Sequence, residues 1–155
     1  MSPEISPALE DYLESILVIA EKNQKVRVKD LAESMQVRAP SALEALANLE
    51  ARGLVEHEHY GGIKLSAKGR LRARKVYERH QSLKRFLILV LGLDDQVAEQ
   101  DACQIEHYVS TTTLSRIAEF NRFLERCSCG KPVCLERFIA GRETKNLKCD
   151  CPVVK

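Results

Sequence analysis

No run of apolar residues in this 155-residue chain is long enough to cross a bilayer, which takes about 20 in a row. The N-terminus also lacks a basic segment followed by an apolar stretch, so no secretory signal is expected. These two absences argue against a membrane partner and for the cytoplasm, where thiols stay reduced. Net charge is scarce as well: 24 Lys and Arg stand against 22 Asp and Glu. Any basic surface must therefore come from uneven distribution. Long-range repeats are not evident, which leaves one moderate domain or two small ones sharing a core. Up to residue 126 there is a single cysteine, Cys103; the other five fall between Cys127 and Lys155. Under reducing conditions the six read as metal ligands or free thiols before they read as disulfides, and their crowding suggests a separate terminal module.

Among what is present, Cys103-Gln104-Ile105-Glu106-His107 carries the most chemistry. Cys103, Glu106 and His107 lie at i, i+3 and i+4, which stacks them on one face of a helix. A thiolate, a carboxylate and an imidazole there form a partial shell for a divalent transition metal. The alternative is a partly buried Cys beside a surface Glu-His pair. Glu99, one turn earlier, falls on the same face, while Ala98, Ala102, Ile105 and Val109 mark an adjacent apolar stripe.

The N-terminal part reads as a DNA-binding module. Ser6 caps a helix with Pro7 at its first position, and Leu9, Leu13, Ile16, Leu17 and Ala20 form its inward stripe. Asp11 and Glu14 share another face, as a solvated surface or as a pair of hard oxygen ligands. Val26-Arg27-Val28 is a short extended piece. A small helix from Lys29 to Met35, a turn over Gln36 to Ala39, and a second helix beginning at Pro40 and stopping at Gly53 look like a helix-turn-helix. In that second helix Leu43, Leu46, Ala47 and Leu49 supply the apolar positions. Leu54 to His59, Gly61-Gly62 and Ile63 to Leu65 come next as a hairpin in the place of a wing.

Ser66 can cap a long helix to about Leu91. From Lys64 to Arg85 there are nine Lys or Arg and one acid, Glu78. This is a solvated face or, given its place after a wing, a surface for phosphates. His80 sits mid-helix near apolar neighbours, as structural histidines often do. After Gly92, Asp94 or Asp95 caps the next helix, and Leu114, Ile117, Ala118, Phe120, Phe123 and Leu124 make another. The last two helices carry more apolar face than one chain covers, which predicts a homodimer. Beyond Cys127 only the pattern Cys127-x-Cys129-x4-Cys134, a basic spacer and Cys149-x-Cys151 remain.

From roughly Leu9 to Leu124 the sequence resembles the metal-dependent repressors of the diphtheria-toxin-repressor and manganese-transport-regulator type. The resemblance rests on Glu10-Asp11-Tyr12-Leu13-Glu14, Asp30-Leu31-Ala32-Glu33, Gly53-Leu54-Val55, Ser66-Ala67-Lys68-Gly69, Arg79-His80, Leu91-Gly92-Leu93-Asp94 and Asp101 to His107, in that order. It implies a mainly α fold: a winged helix-turn-helix domain over 1–73, joined by a long helix to an all-helical metal-binding and dimerisation domain over 74–125, with a cysteine-rich tail over 126–155. It implies Asp11, Glu14, His80, Cys103, Glu106 and His107 as metal ligands. The manganese branch has a carboxylate where Cys103 stands, and the iron branch has Met where Asp11 stands, so both Mn(II) and Fe(II) remain open. At the iron branch's ancillary site this chain offers Glu99 but places Lys84 at a ligand position.

The implied function is a metal-activated repressor of iron or manganese homeostasis genes, acting as a homodimer on double-stranded operator DNA. The helix from Pro40 to Asn48 is expected in the major groove, with Arg38 and Ser41 at its leading end. Glu44 is expected to accept from cytosine or to face solvent. Lys64, Lys68, Arg70 and Arg72 are expected at phosphates. Two other readings compete. Cys103-x-x-Glu106-His107 looks like an inverted zinc-protease signature with Cys for the first His, but no separate substrate domain is present. The tail cysteines Cys127, Cys129, Cys134, Cys149 and Cys151 could hold Zn(II) or an iron–sulfur cluster and act as the sensor, or remain a floppy run of reduced thiols.

Overall fold

The computed structural model describes residues 5–22, 25–58, 62–126 and 132–144. They form α1 (Pro7–Glu21), α2 (Val28–Ser34), α3 (Ala39–Ala51), β1 (Val55–Glu58), β2 (Gly62–Leu65), α4 (Ala67–Leu91), α5 (Asp95–Ile105), α6 (Thr111–Arg126) and α7 (Val133–Thr144). The chain divides into two compact units, Met1–Glu78 and Arg79–Lys155. No helix among the described residues is long and apolar enough to cross a membrane.

In the first unit, Ser6 Oγ accepts from the Leu9 amide at 3.4 Å and Pro7 opens α1. Leu9, Tyr12, Leu13, Ile16 and Leu17 bury one face of that helix. Ala20, expected inside, is exposed and lines an open groove of about 390 Å³ with Val26 and Ile63. Ser15 Oγ donates to Ser34 Oγ at 2.8 Å, tying α1 to α2. The α2–α3 turn passes through Gln36 at φ 54°, and the Val37 amide closes it onto the Ala32 carbonyl at 2.9 Å. α3 buries Ala42, Leu46 and Leu49. Leu43 and Ala47, expected inward, are exposed; the i, i+4, i+7 stripe begins at the small Ala42.

The wing is antiparallel, with Val55 opposite Leu65 and Glu58 opposite Gly62. Val26 bridges to Ile63, so the extended piece before α2 joins the wing. Ser66 fixes the start of α4: its Oγ accepts from the Gly69 amide at 3.0 Å and donates to the Gly53 carbonyl at 2.8 Å. A Cβ on Gly69 would lie 1.9 Å from the Leu54 carbonyl oxygen, so only glycine lets α4 begin this close to the end of the α3 turn.

In the second unit Leu83, Leu87, Ala98, Ala102 and Leu114 form the core, with Phe86, Ile88, Leu93, Val109 and Ile117 packed around them. Asn121 Nδ2 donates to the Ser82 carbonyl at 2.9 Å and ties α6 to α4. Asp94 caps α5 through amides of Gln96 and Val97. Gly92 turns the chain at φ 62°, and a Cβ there would meet Ile139 at 2.8 Å. That neighbour belongs to α7, a helix that cysteine spacing alone did not announce. Pro132 starts it, its carbonyl accepting from the Leu135 and Glu136 amides.

Candidate metal centre and DNA-reading surface

α5 ends at Ile105, and Glu106 takes its C-cap with helical dihedrals (φ −59°, ψ −29°). This one further helical residue turns the Glu106 side chain inward, where it is 1% exposed. Its two oxygens are met from two directions. His80 on α4 brings Nδ1 to 3.2 Å of Oε2, and His107 brings Nε2 to 3.4 Å of Oε1. His80 is itself buried, and the His107 side chain is 6% exposed. Cys103 is exposed and stands apart from the burial of these three. Glu99 Oε1 approaches the other face of the His80 ring, 3.2 Å from Nε2.

Among the described residues, neither Glu106 oxygen accepts a hydrogen bond. A carboxylate sealed from water without donors is costly, so buried charges are normally paired or bound to metal. Ligand atoms around a divalent transition ion at ~2.0–2.2 Å stand roughly 3–3.5 Å from one another. The separations from Glu106 to His80 and His107 fall in that range. The donor set thus fits a divalent metal. In the first unit Asp11 and Glu14 lie half-buried on α1, one helical turn apart.

Lys84, which falls in the basic run and at a ligand position of the ancillary site, is paired with acids of α5. Its Nζ lies 2.8 Å from Glu99 Oε2 and 2.9 Å from Asp95 Oδ1. These hydrogen bonds to Glu99 and Asp95 push the ammonium above its usual range. Burial raises the Glu99 carboxyl, but Lys84 and His80 outweigh it and hold the group below the usual carboxylate range. The signal was available: His80 and Lys84 are i, i+4 on one helix, Asp95 and Glu99 i, i+4 on the next.

On the first unit, Arg38, Pro40, Ser41 and Glu44 are all exposed at the leading half of α3. Leu43, on the same helix, is 45% exposed. Lys64, Lys68 and Arg70 are exposed. Arg72 differs: its guanidinium nitrogens reach Glu10 Oε1 at 3.2 and 3.4 Å, and both side chains are largely covered. Cys127, Cys129, Cys149 and Cys151 lie outside the described residues, as does the side chain of Cys134.

Two family models cover most of the chain. The N-terminal DNA-binding domain of the iron-dependent repressors matches residues 4–63, and their metal-binding and dimerisation domain matches residues 66–135. The HTH-type transcriptional regulator MJ0568 of Methanocaldococcus jannaschii is 39% identical over 118 residues, covering 75% of this chain and 94% of that protein. The chain belongs to the iron-dependent repressor family. The regulator MntR of Bacillus subtilis is 30% identical over 120 residues, 77% of this chain and 84% of its own. Among solved structures, the manganese regulator SloR aligns at TM-score 0.68 with 30% identity, covering 77% of this chain and 55% of that one. A manganese-dependent transcriptional repressor in complex with manganese aligns at 0.69 with 34% identity, over 74% and 53%. The chain spans about half the length of these solved structures. As a member of that family it is a metal-dependent transcriptional regulator and not an enzyme, which sets aside the hydrolase reading.

Proposed function

We propose that this protein is a homodimer whose grip on operator DNA is gated by one divalent ion, Mn(II) or Fe(II), held by Asp11, Glu14, His80, Cys103, Glu106 and His107. The observation that carries the reading is the Glu106 carboxylate, buried between two imidazoles without a hydrogen bond among the described residues. When bound, the cation supplies the positive charge that lets three carboxylates share a site. Asp11 and Glu14 repel Glu106 when no cation is present, and α1 with its DNA-reading unit is then free of the dimerisation unit. With the charges balanced, Asp11 and Glu14 hold α1 in place, and the two α3 helices of a dimer take the spacing of about 34–36 Å that successive major grooves require. Arg38, Ser41, Leu43 and Glu44 then face base edges, while Lys64, Lys68 and Arg70 meet phosphates. Genes of iron or manganese balance are the natural targets of such a gate, and a reducing cytoplasm keeps Cys103 a free thiol able to ligate metal.

The test measures metal uptake by calorimetry and operator binding by fluorescence anisotropy on the same samples. Wild-type protein should bind its operator with Mn(II) and lose ~5–150-fold in affinity with chelator, the usual range of allosteric coupling. Asp11→Ala should still take up metal, more weakly, through the dimerisation unit, yet lose the gain in DNA affinity. Equal operator binding in chelator would end the proposal. Full metal-dependent binding by Asp11→Ala would end the gating mechanism.

A further inference from the structure

We propose that Lys84 is a positioning residue for the metal ligand His80 and acts through Glu99. The inference rests on the reading of the His80–Glu106–His107 cluster as a metal centre. Four groups stand in series. Lys84 Nζ is 2.8 Å from Glu99 Oε2, Glu99 Oε1 is 3.2 Å from His80 Nε2, and His80 Nδ1 is 3.2 Å from Glu106 Oε2. Asp95, 2.9 Å from the same ammonium, holds Lys84 from its other side. The Lys84 side chain is only 18% exposed, low for a lysine, whereas that of Glu99 is 52% exposed. A glutamate so open to water would leave the histidine for solvent unless something fixed it, and the ammonium does so.

The chemical consequence lies in the imidazole. A neutral histidine carries its proton on one nitrogen and a lone pair on the other, and only the lone pair binds metal. An ionised Glu99 facing Nε2 favours the proton there, against the equally close Glu106 carboxylate at Nδ1, and the Lys84 ammonium that fixes Glu99 in place tips the balance. That leaves the Nδ1 lone pair beside Glu106, where the metal is to sit. Carboxylates that orient a ligating histidine in this way are worth 10–100-fold in metal affinity. Lys84 serves a second end by the same contacts. With its charge balanced by the ammonium, Glu99 stays an orienting group rather than becoming a ligand to a further cation.

Lys84→Met, Lys84→Arg and Glu99→Gln separate these roles. In metal-free protein, nitrogen chemical shifts of 15N-labelled histidine should show wild-type His80 protonated on Nε2. Lys84→Met and Glu99→Gln should give a mixed tautomer, and Lys84→Arg should restore the wild-type signal. Titration with Mn(II) should show affinity 10–100-fold weaker in Lys84→Met and near wild type in Lys84→Arg. A wild-type proton on Nδ1 overturns the proposal, and that result needs no variant to fold. Unchanged tautomer and Mn(II) affinity in Lys84→Met overturn it too. Wild-type protein that takes up no Mn(II) defeats the metal centre itself, while the tautomer of the metal-free protein still decides the role of Lys84.

Discussion

Glu106 shows what the proposed metal site would cost its own fold. The side chain is 1% exposed, and neither oxygen accepts a hydrogen bond from the described residues. Removing its charge should relieve the metal-free protein and ruin the centre together. We expect Glu106→Gln to stabilise metal-free protein by ~1–3 kcal/mol. Mn(II) should then no longer raise the melting temperature. A variant that melts lower and still gains stability from Mn(II) would contradict this account. Cys103 tests selectivity at the same scale. Oxygen and nitrogen donors suit Mn(II), and one thiolate raises the relative affinity for Fe(II). Cys103→Glu should shift preference towards Mn(II), read as the ratio of anaerobic dissociation constants, without abolishing operator binding. An unchanged ratio would place the exposed sulfur outside the coordination sphere.

At the scale of elements, most of the winged helix-turn-helix was legible because its boundaries are set by local chemistry. Ser6, Ser66 and Asp94 cap as their residue types predict, and Gly53 and Gly92 stop helices at positive φ. Face assignments failed where the pattern was degenerate. In α3 the apolar residues allow two registers, and Leu43 reads as the inward residue because Ala42 buries so little area. α7 was hidden because the cysteines around it suggested ligand spacing. Arg72 was unreadable for a different reason: its partner Glu10 is 62 residues away, and pairing at that distance exists only once α1 and α4 have packed. The charge run from Lys64 to Arg85 therefore divides into different tasks. Arg70→Ala should reduce the slope of log K against log salt by about 0.9, one phosphate contact. Arg72→Ala should leave the slope nearly unchanged and lower the unfolding free energy by about 1–3 kcal/mol, because it removes two hydrogen bonds to the covered Glu10 carboxylate. Salt titrations beside urea melts separate the two, and a wild-type slope near zero would remove the phosphate-facing reading altogether.

At the scale of the whole molecule, the second unit presents apolar area that its own core does not use. Val97 and Ile105 are each 39% exposed on α5; Phe120 is 41% and Phe123 62% exposed on α6; Tyr108 between the helices is 84% exposed. The aromatic groups are not scattered. Phe86 and Phe120 have ring centroids 6.4 Å apart, and Phe120 and Phe123 6.5 Å, so a continuous strip runs from the half-buried flank of the core out to the surface. Adjacent exposed aromatics of this kind mark contact surfaces, because burying each is worth ~1.5–3 kcal/mol. A second copy related by a two-fold axis would cover the strip with the same strip. Dimerisation should therefore not depend on the metal, because none of the proposed ligands belongs to this strip. We expect sedimentation to find a dimer at micromolar concentration with metal or with chelator, and Phe123→Glu to shift it towards monomer. The monomeric variant should keep its affinity for Mn(II) within a few-fold, since none of the proposed ligands lies on α6. Its operator affinity should fall towards that of a single half-site, because two recognition helices held in one frame bind as a unit and one alone does not. A metal-free wild-type protein that sediments as a stable monomer would show instead that the strip faces some other partner, and that metal assembles the dimer rather than setting its spacing.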